Sequence, residues 1–123
     1  MLVTYVPTLT QHWHSLDRHI MFIESIFGKA TATVEIYKTP EGPCRVQAYL
    51  CNLWVEEKVR RGGLGRVLIA EAEKIAKENG QNSLFLEHDN RDTPDWVLEW
   101  YARLGYDVRA FNKTRTLMEK KLY

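Results

Sequence analysis

Residues 53–69 read LWVEEKVRRGGLGRVLI: a strand-like apolar run, a basic glycine-rich loop and the start of an apolar helix. The predicted helix covers roughly 65–79, where Leu68, Ile69, Ala72, Ile75 and Ala76 form one stripe. Glu73 and Lys77 read as an i,i+4 pair on its outer side, and Gly80 as its stop. The first N–H groups of a helix have no internal partner and carry the positive end of its dipole. Glycines let such backbone approach an anion closely and adopt left-handed conformations. Arg60, Arg61 and Arg66 add charge around Gly62, Gly63, Leu64 and Gly65. The pattern points to a site for phosphate or pyrophosphate, with a solvated basic turn as the bland alternative. It is not a Walker loop, because no Gly-Lys-Ser/Thr follows, and its glycine spacing differs from the dinucleotide fingerprint.

Upstream, TATVEIYKT at 31–39 reads as a strand rich in β-branched residues. PEGP at 40–43 breaks it, and CRVQAYLCNLWVE at 44–56 returns as the second strand of a hairpin. Trp13, Leu16, Ile20, Ile23 and Phe27 recur at helical spacing, which predicts a helix over 11–27 with Thr10 as N-cap and Gly28 as stop. Residues 1–6 read as a short strand closed by Pro7. Downstream, SLFLEH at 83–88 reads as a mostly buried strand, followed by the polar loop DNRDT. A helix begins with Thr93 as N-cap and Pro94 in its first turn, and ends at Gly105. YDVRAF and TRTLMEKKL then form a hairpin turning at Asn112 and Lys113. The order predicts an α/β (α+β) domain with one mixed sheet flanked by helices.

At 123 residues the chain is long enough for one core, so a single domain over 1–123 is expected. A net charge of +1 supplies no global field towards nucleic acid or membrane, so any basic function is local. No secretory signal or membrane-length apolar run is read. Cys44 and Cys51 are seven apart in one predicted strand, hence on opposite faces, and read as free thiols of a cytoplasmic protein.

Two motifs at their proper spacing resemble the GNAT N-acetyltransferase superfamily. The first is Leu53-Trp54-Val55 followed by Arg60-x-x-Gly63-x-Gly65 and Val67-Leu68. The second is the strand Leu84 to Glu87, then Trp100-Tyr101-Ala102-Arg103-Leu104-Gly105-Tyr106, similar to the family's Tyr-x-x-x-Gly-aromatic helix end. The resemblance covers about residues 46–122. It implies a sheet whose central parallel strands splay apart, with acetyl-CoA as co-substrate. Leu53, Trp54 and Val55 would lie against the pantetheine arm, and amides around Arg61, Gly63, Gly65 and Arg66 would hold the pyrophosphate. An amide near Leu53 would polarise the acetyl carbonyl. The reaction implied is direct attack of a primary amine, on a small molecule or a protein, upon the thioester.

Tyr101 stands where the family often places the tyrosine that protonates the leaving thiolate; a core tyrosine is its bland reading. The strand before the loop lacks the carboxylate that many members carry there. Glu35, Glu56, Glu57, Glu87 and His88 remain as candidate bases, led by Glu87 and His88. Cys51 has no basic partner in sequence and reads as a small hydrophobe, not a nucleophile. His12, His14 and His19 lack the pattern of a metal site. Trp96 and Trp100 share a helix face, covering the core edge or lining the acceptor side. Pro94 replaces an asparagine frequent in the family, with Asn90 the nearest amide. The N-terminal region, which normally builds the acceptor pocket, shows one helix where the family generally has two.

The leading function is an acetyl-CoA-dependent N-acetyltransferase with an amine acceptor and no nucleic-acid or membrane partner; a homodimer stays open. The rivals are a non-catalytic acyl-CoA-binding regulatory domain and a nucleotide-phosphate or nucleic-acid binder using the Arg60–Arg66 loop. Balanced charge and the lack of an aromatic-basic platform argue against the last.

Overall fold

The structure, a computed structural model, describes residues 6–25, 28–39, 46–57 and 63–123, without the Ser25 side chain. Seven strands and two helices follow in the order β1 (Thr8–His12), β2 (Leu16–Ser25), β3 (Gly28–Tyr37), β4 (Ala48–Val55), α1 (Leu64–Glu78), β5 (Ser83–Asp89), α2 (Asp95–Arg103), β6 (Asp107–Phe111) and β7 (Arg115–Lys121). One sheet holds all the strands in the order β1-β2-β3-β4-β5-β7-β6. Every neighbouring pair is antiparallel except β4 and β5, which run parallel. Parallel neighbours need a crossover, and α1 supplies it. The mixed α/β class expected from the sequence is what the chain adopts.

The helix expected over 11–27 is instead the β1–β2 hairpin. Ile20-Met21-Phe22-Ile23 is apolar on both faces of a strand, so helical spacing can be drawn through it by coincidence. Ten register pairs with β3 decide the matter, and Met21 and Ile23 turn into the core. Thr10, the expected N-cap, pairs with His19, and Trp13 lies in the turn with its N–H on the carbonyl of Leu16 at 2.8 Å. The expected strand over 1–6 lies outside the described residues except for Val6, as do the 40–43 turn and Cys44. The strand expected at 31–39 begins earlier, at Gly28, and the one expected at 44–56 is described over Ala48–Val55.

The predicted stripe of α1 is buried in full and packs on β2 to β5. Ala30, Ala32, Val34 and Ile36 of β3, with Leu84 and Leu86 of β5, form the floor beneath it. Small alanines under a helix let it sit close, which keeps the interior dense. Glu73 does not serve the i,i+4 pair expected with Lys77. Its carboxylate accepts the Tyr106 hydroxyl at 2.9 Å and Lys120 Nζ at 3.0 Å, tying α1 to the segment after α2 and to β7. Lys77 lies over the Tyr123 ring at 5.3 Å. The terminal hairpin forms as expected, with Asn112 Oδ1 accepting the N–H groups of Thr114 and Arg115.

Cross-strand register places a second set of residues on the face away from this core: Arg18 opposite Glu35, Glu35 opposite Tyr49, Tyr49 beside Phe85, and Phe85 opposite Glu119. Glu119 is buried there, and its carboxylate accepts hydrogen bonds from the Ser83 hydroxyl and Arg109 Nε. Burial pushes its acidity towards the neutral form, but the bonds from Ser83 and Arg109 overcome that and hold it below the ordinary glutamate value. A carboxyl more acidic folded than unfolded stabilises above its unfolded value, and that contribution is lost as pH falls through the folded one. Glu119→Gln is expected to cost about 1–3 kcal/mol near neutrality. It should also flatten the fall in melting temperature below about pH 4. Melting curves across pH check both, and a parallel acid slope in the variant removes Glu119 from this role.

Candidate active site

The β4–β5 pairing holds only two register pairs, Tyr49 with Phe85 and Leu50 with Leu86. Beyond them the strands part. The departure starts at a bulge in β4: Thr31 pairs with Trp54 and Thr33 with Cys51, so β4 carries one residue more than β3 across the same interval. Asn52 absorbs it with a φ of 53°, in the left-handed region that asparagine tolerates better than most residues. The bulge shifts the inward phase of the strand. Ala48 and Leu50 point into the core before it, Leu53 and Val55 pack against the core after it, and Asn52 and Trp54 are exposed.

A cleft of about 940 Å³ opens where the strands part. Leu53, Trp54 and Val55 line it from β4, Gly63, Gly65 and Arg66 from the head of α1, and Trp96, Val97, Trp100 and Tyr101 from α2. Tyr49 and Glu87 line it too. Leu64, placed in the loop by sequence, instead buries its side chain completely in the core. Arg60, Arg61 and Gly62 lie outside the described residues.

The head of α1 suits an anion. Gly63 stands at its N-cap with a φ of 81°, no side chain of the described residues caps the helix, and no acidic residue occupies the first turn. The first amides therefore face the cleft region without a local carboxylate to satisfy them. The two glycines have different reasons. A Cβ on Gly63 would meet none of the described residues within 4 Å, and its positive φ is what selects glycine. A Cβ on Gly65 would lie 3.0 Å from the Trp100 ring and 3.7 Å from Val55. Gly65 thus lets α2 close against α1, a tertiary contact that loop chemistry did not signal. Trp96, also on the cleft, is 58% exposed, so both tryptophans wall the site and Trp100 also covers the core edge.

Tyr101 is buried, and burial raises its phenol above the ordinary tyrosine value, keeping it protonated at neutral pH. Its hydroxyl makes no hydrogen bond to the described residues. Helix α2 starts at Asp95, later than expected, because Pro94 keeps an extended ψ of 148°. The Pro94 carbonyl meets His88 Nε2 at 3.1 Å, while His88 Nδ1 meets Asn90 Oδ1 at 2.9 Å. His88 is therefore enclosed in the core, bracing the 89–94 loop, and is no candidate base. Asn90 also accepts the Thr116 hydroxyl and donates to the Asn112 carbonyl, so its amide staples the C-terminal hairpin.

The carboxylates sort by what they bind. Glu35 receives Arg18 Nη2 at 2.9 Å and the Tyr37 hydroxyl at 3.1 Å. Glu56 accepts the Lys29 amide at 2.9 Å. Glu87 lines the cleft, and Tyr49 donates to its Oε1 at 2.8 Å. Burial, reinforced by nearby Glu35, pushes the Cys51 thiol up to about 12, which leaves it no nucleophilic thiolate. His12 pairs with Asp17 and His19 with Thr10, on strands and not on a helix.

A sheet split between two parallel strands, with a helix head on one flank and a buried phenol in the gap, is an arrangement that suits an acyl-group transferase with an anionic carrier. The chain belongs to the acetyltransferase (GNAT) family, whose model matches residues 3–106. Its function is acetyl transfer, the N-acetyltransferase reaction expected from the sequence. No curated protein matches it by sequence. Among solved structures it is similar to a GNAT-family acetyltransferase of Desulfovibrio desulfuricans, with 21% identity, a TM-score of 0.68, and 86% of this chain and 70% of that one covered. It is similar also to an acetyltransferase of Bacillus cereus, with 26% identity, a TM-score of 0.63 and coverage of 86% and 74%. An aminoglycoside 6'-N-acetyltransferase crystallised with coenzyme A shares the fold at 18% identity, with a TM-score of 0.69 and coverage of 86% and 73%.

The glycine readings are separable. Gly63→Ala should cost about 1–2 kcal/mol through backbone strain and leave tryptophan fluorescence unchanged. Gly65→Val should cost about 1–3 kcal/mol by overpacking and shift the emission as Trp100 is displaced. Unchanged fluorescence in Gly65→Val would remove the Trp100 contact as the reason for that glycine.

Proposed function

We propose that the 123 residues act as one acyltransferase domain that moves an acetyl group onto a primary amine, with Tyr101 as the proton donor and Glu87 as the proton acceptor. The observation that carries this reading is that one cleft brings together the uncapped head of α1, the Tyr101 hydroxyl and the Glu87 carboxylate. Acetyl-CoA supplies the acyl group as a thioester. Gly63, Gly65 and Arg66 would hold its pyrophosphate, joined by Arg60, Arg61, Gly62 and Leu64 of the same loop through main chain or charge. Leu53, Trp54 and Val55 would lie along the pantetheine arm. The bulge at Asn52 supports a strand amide near Leu53 that turns out of the ladder to bind the carbonyl oxygen.

Tyr101 comes to the cleft from the core side, and burial, by raising its pKa, keeps the phenol protonated and so able to give a hydrogen bond to a departing sulfur. Glu87 comes from the opposite face of the sheet, next to Tyr49, so an amine entering from that face meets a carboxylate before it meets the acyl carbon. Holding both reactants in one slot supplies much of the acceleration. The acceptor is an amine of a small molecule or a protein. The free Cys51 suits the cytoplasm, and the exposed edge strands β1 and β6 are open to a homodimer. No helix among the described residues is long and apolar enough to cross a membrane.

Thiol release from acetyl-CoA, measured with spermidine, an aminosugar and a lysine peptide, tests the reading; no amine-dependent release from any would return the chain to a non-catalytic acyl-CoA binder. Tyr101→Phe should lower turnover about 10- to 1000-fold with little change in melting temperature. Wild-type turnover should rise with pH as the amine loses its proton. Because burial raises the Tyr101 value, no falling limb from the phenol is expected below about pH 10. Glu87→Gln should lower kcat and leave the KM for acetyl-CoA within about twofold.

A further inference from the structure

Glu87 stands at an unusual place in the sheet. The last backbone rung between β4 and β5 joins Leu50 to Leu86, and Glu87 is the next residue of β5. Past that rung, main-chain pairing no longer sets the distance between the strands. The β7 ladder still holds the Glu87 main chain opposite Leu117, and on the β4 side a side chain makes the contact. Tyr49 reaches across the widening gap from the other strand, and its hydroxyl donates to Glu87 Oε1 at 2.8 Å.

The ring of Tyr49 is itself confined. On one side its register partner is Phe85 of β5, and on the other it is Glu35 of β3. Glu35 cannot yield, because Arg18 Nε and Nη2 both donate to its Oε2 and the Tyr37 hydroxyl donates to its Oε1. A row of side chains thus spans four strands, from Arg18 through Glu35 and Tyr49 to Glu87, and ends at the cleft. A phenol has few rotatable bonds and gives a directed hydrogen bond, so the row ends in a rigid donor.

We propose that Tyr49 is the positioning residue for the proton acceptor: by holding Oε1 it keeps the Glu87 carboxylate turned to the amine in the slot. Tyr49 does not take the amine's proton, since its hydroxyl is the donor in this bond. Losing the bond removes this constraint on Oε1, and the fraction of molecules in reactive geometry falls. The proposal rests on Glu87 as the proton acceptor.

Tyr49→Phe removes the hydroxyl and keeps the ring. With whichever of the three amines turns over fastest, kcat is expected to fall about 10-fold, with the KM for acetyl-CoA within twofold of wild type. The double variant Tyr49→Phe/Glu87→Gln should be no slower than Glu87→Gln alone, because two residues acting as one unit do not add. If Glu87→Gln slows the enzyme but Tyr49→Phe does not, or if the two losses multiply, Tyr49 has no positioning role and the base assignment survives. If Glu87→Gln leaves turnover unchanged, the base assignment fails and this proposal with it.

Discussion

Two rungs of parallel pairing between β4 and β5 are the constraint on which the rest of this structure depends. Each other pair of neighbours is antiparallel and closes through a longer ladder, ten positions for β2–β3 and seven for β5–β7. A backbone that leaves its ladder must find other partners for its N–H and C=O groups, and a polar cleft is where water or a ligand can provide them. The bulge at Asn52 makes the departure local, by inserting one residue and turning the strand. Because β4 and β5 run parallel, their connection must cross over the sheet, and this carries the head of α1 to the mouth of the gap. Split and anion site are consequences of one topological choice.

The gap can stay open because its flanks are tied elsewhere. Trp100 closes α2 onto α1 at Gly65, and Glu73 gathers Tyr106 and Lys120 behind them. His88 braces the loop that leads into α2, and Glu119 fastens β7 to Ser83 of β5 and Arg109 of β6. Satisfied polar groups surround the cleft, while the phenol inside it has no partner among the described residues. Its residue is buried but lines the cleft, where a substrate can accept the bond. The two faces of the sheet also divide the chemistry. Aromatic and apolar side chains with a helix head lie on the core side, and a row of charged and phenolic groups lies on the other.

Much of this was legible in the chain because it is local. The glycine-rich junction at 62–65, the stripe from Leu68 to Ala76, the strand 83–88 and the terminal hairpin each depend on neighbours within a few residues. The two motifs that resemble the family lie in these segments, and the family was found there. Reading failed at 11–27, where an apolar run spaced like a helix pairs along ten positions with β3. A strand apolar on both faces has no alternation to betray it, so only its partner distinguishes it from a helix.

By itself the sequence determined the order of most elements, the glycine junction between strand and helix, and Tyr101 near the end of the last helix. The sequence put Glu87 and His88 first among the candidate bases, and tertiary structure separated them, with Glu87 on the cleft and His88 in the core. Glu35, Glu56 and Glu87 are alike as residues, and Arg18, the Lys29 amide and Tyr49 come to them from other strands. Tertiary structure likewise made Gly65 a packing residue and His88 a brace. A backbone propensity is set within a turn or two of chain, whereas the partner of a side chain across a sheet is set by register, and register exists only once the strands have met.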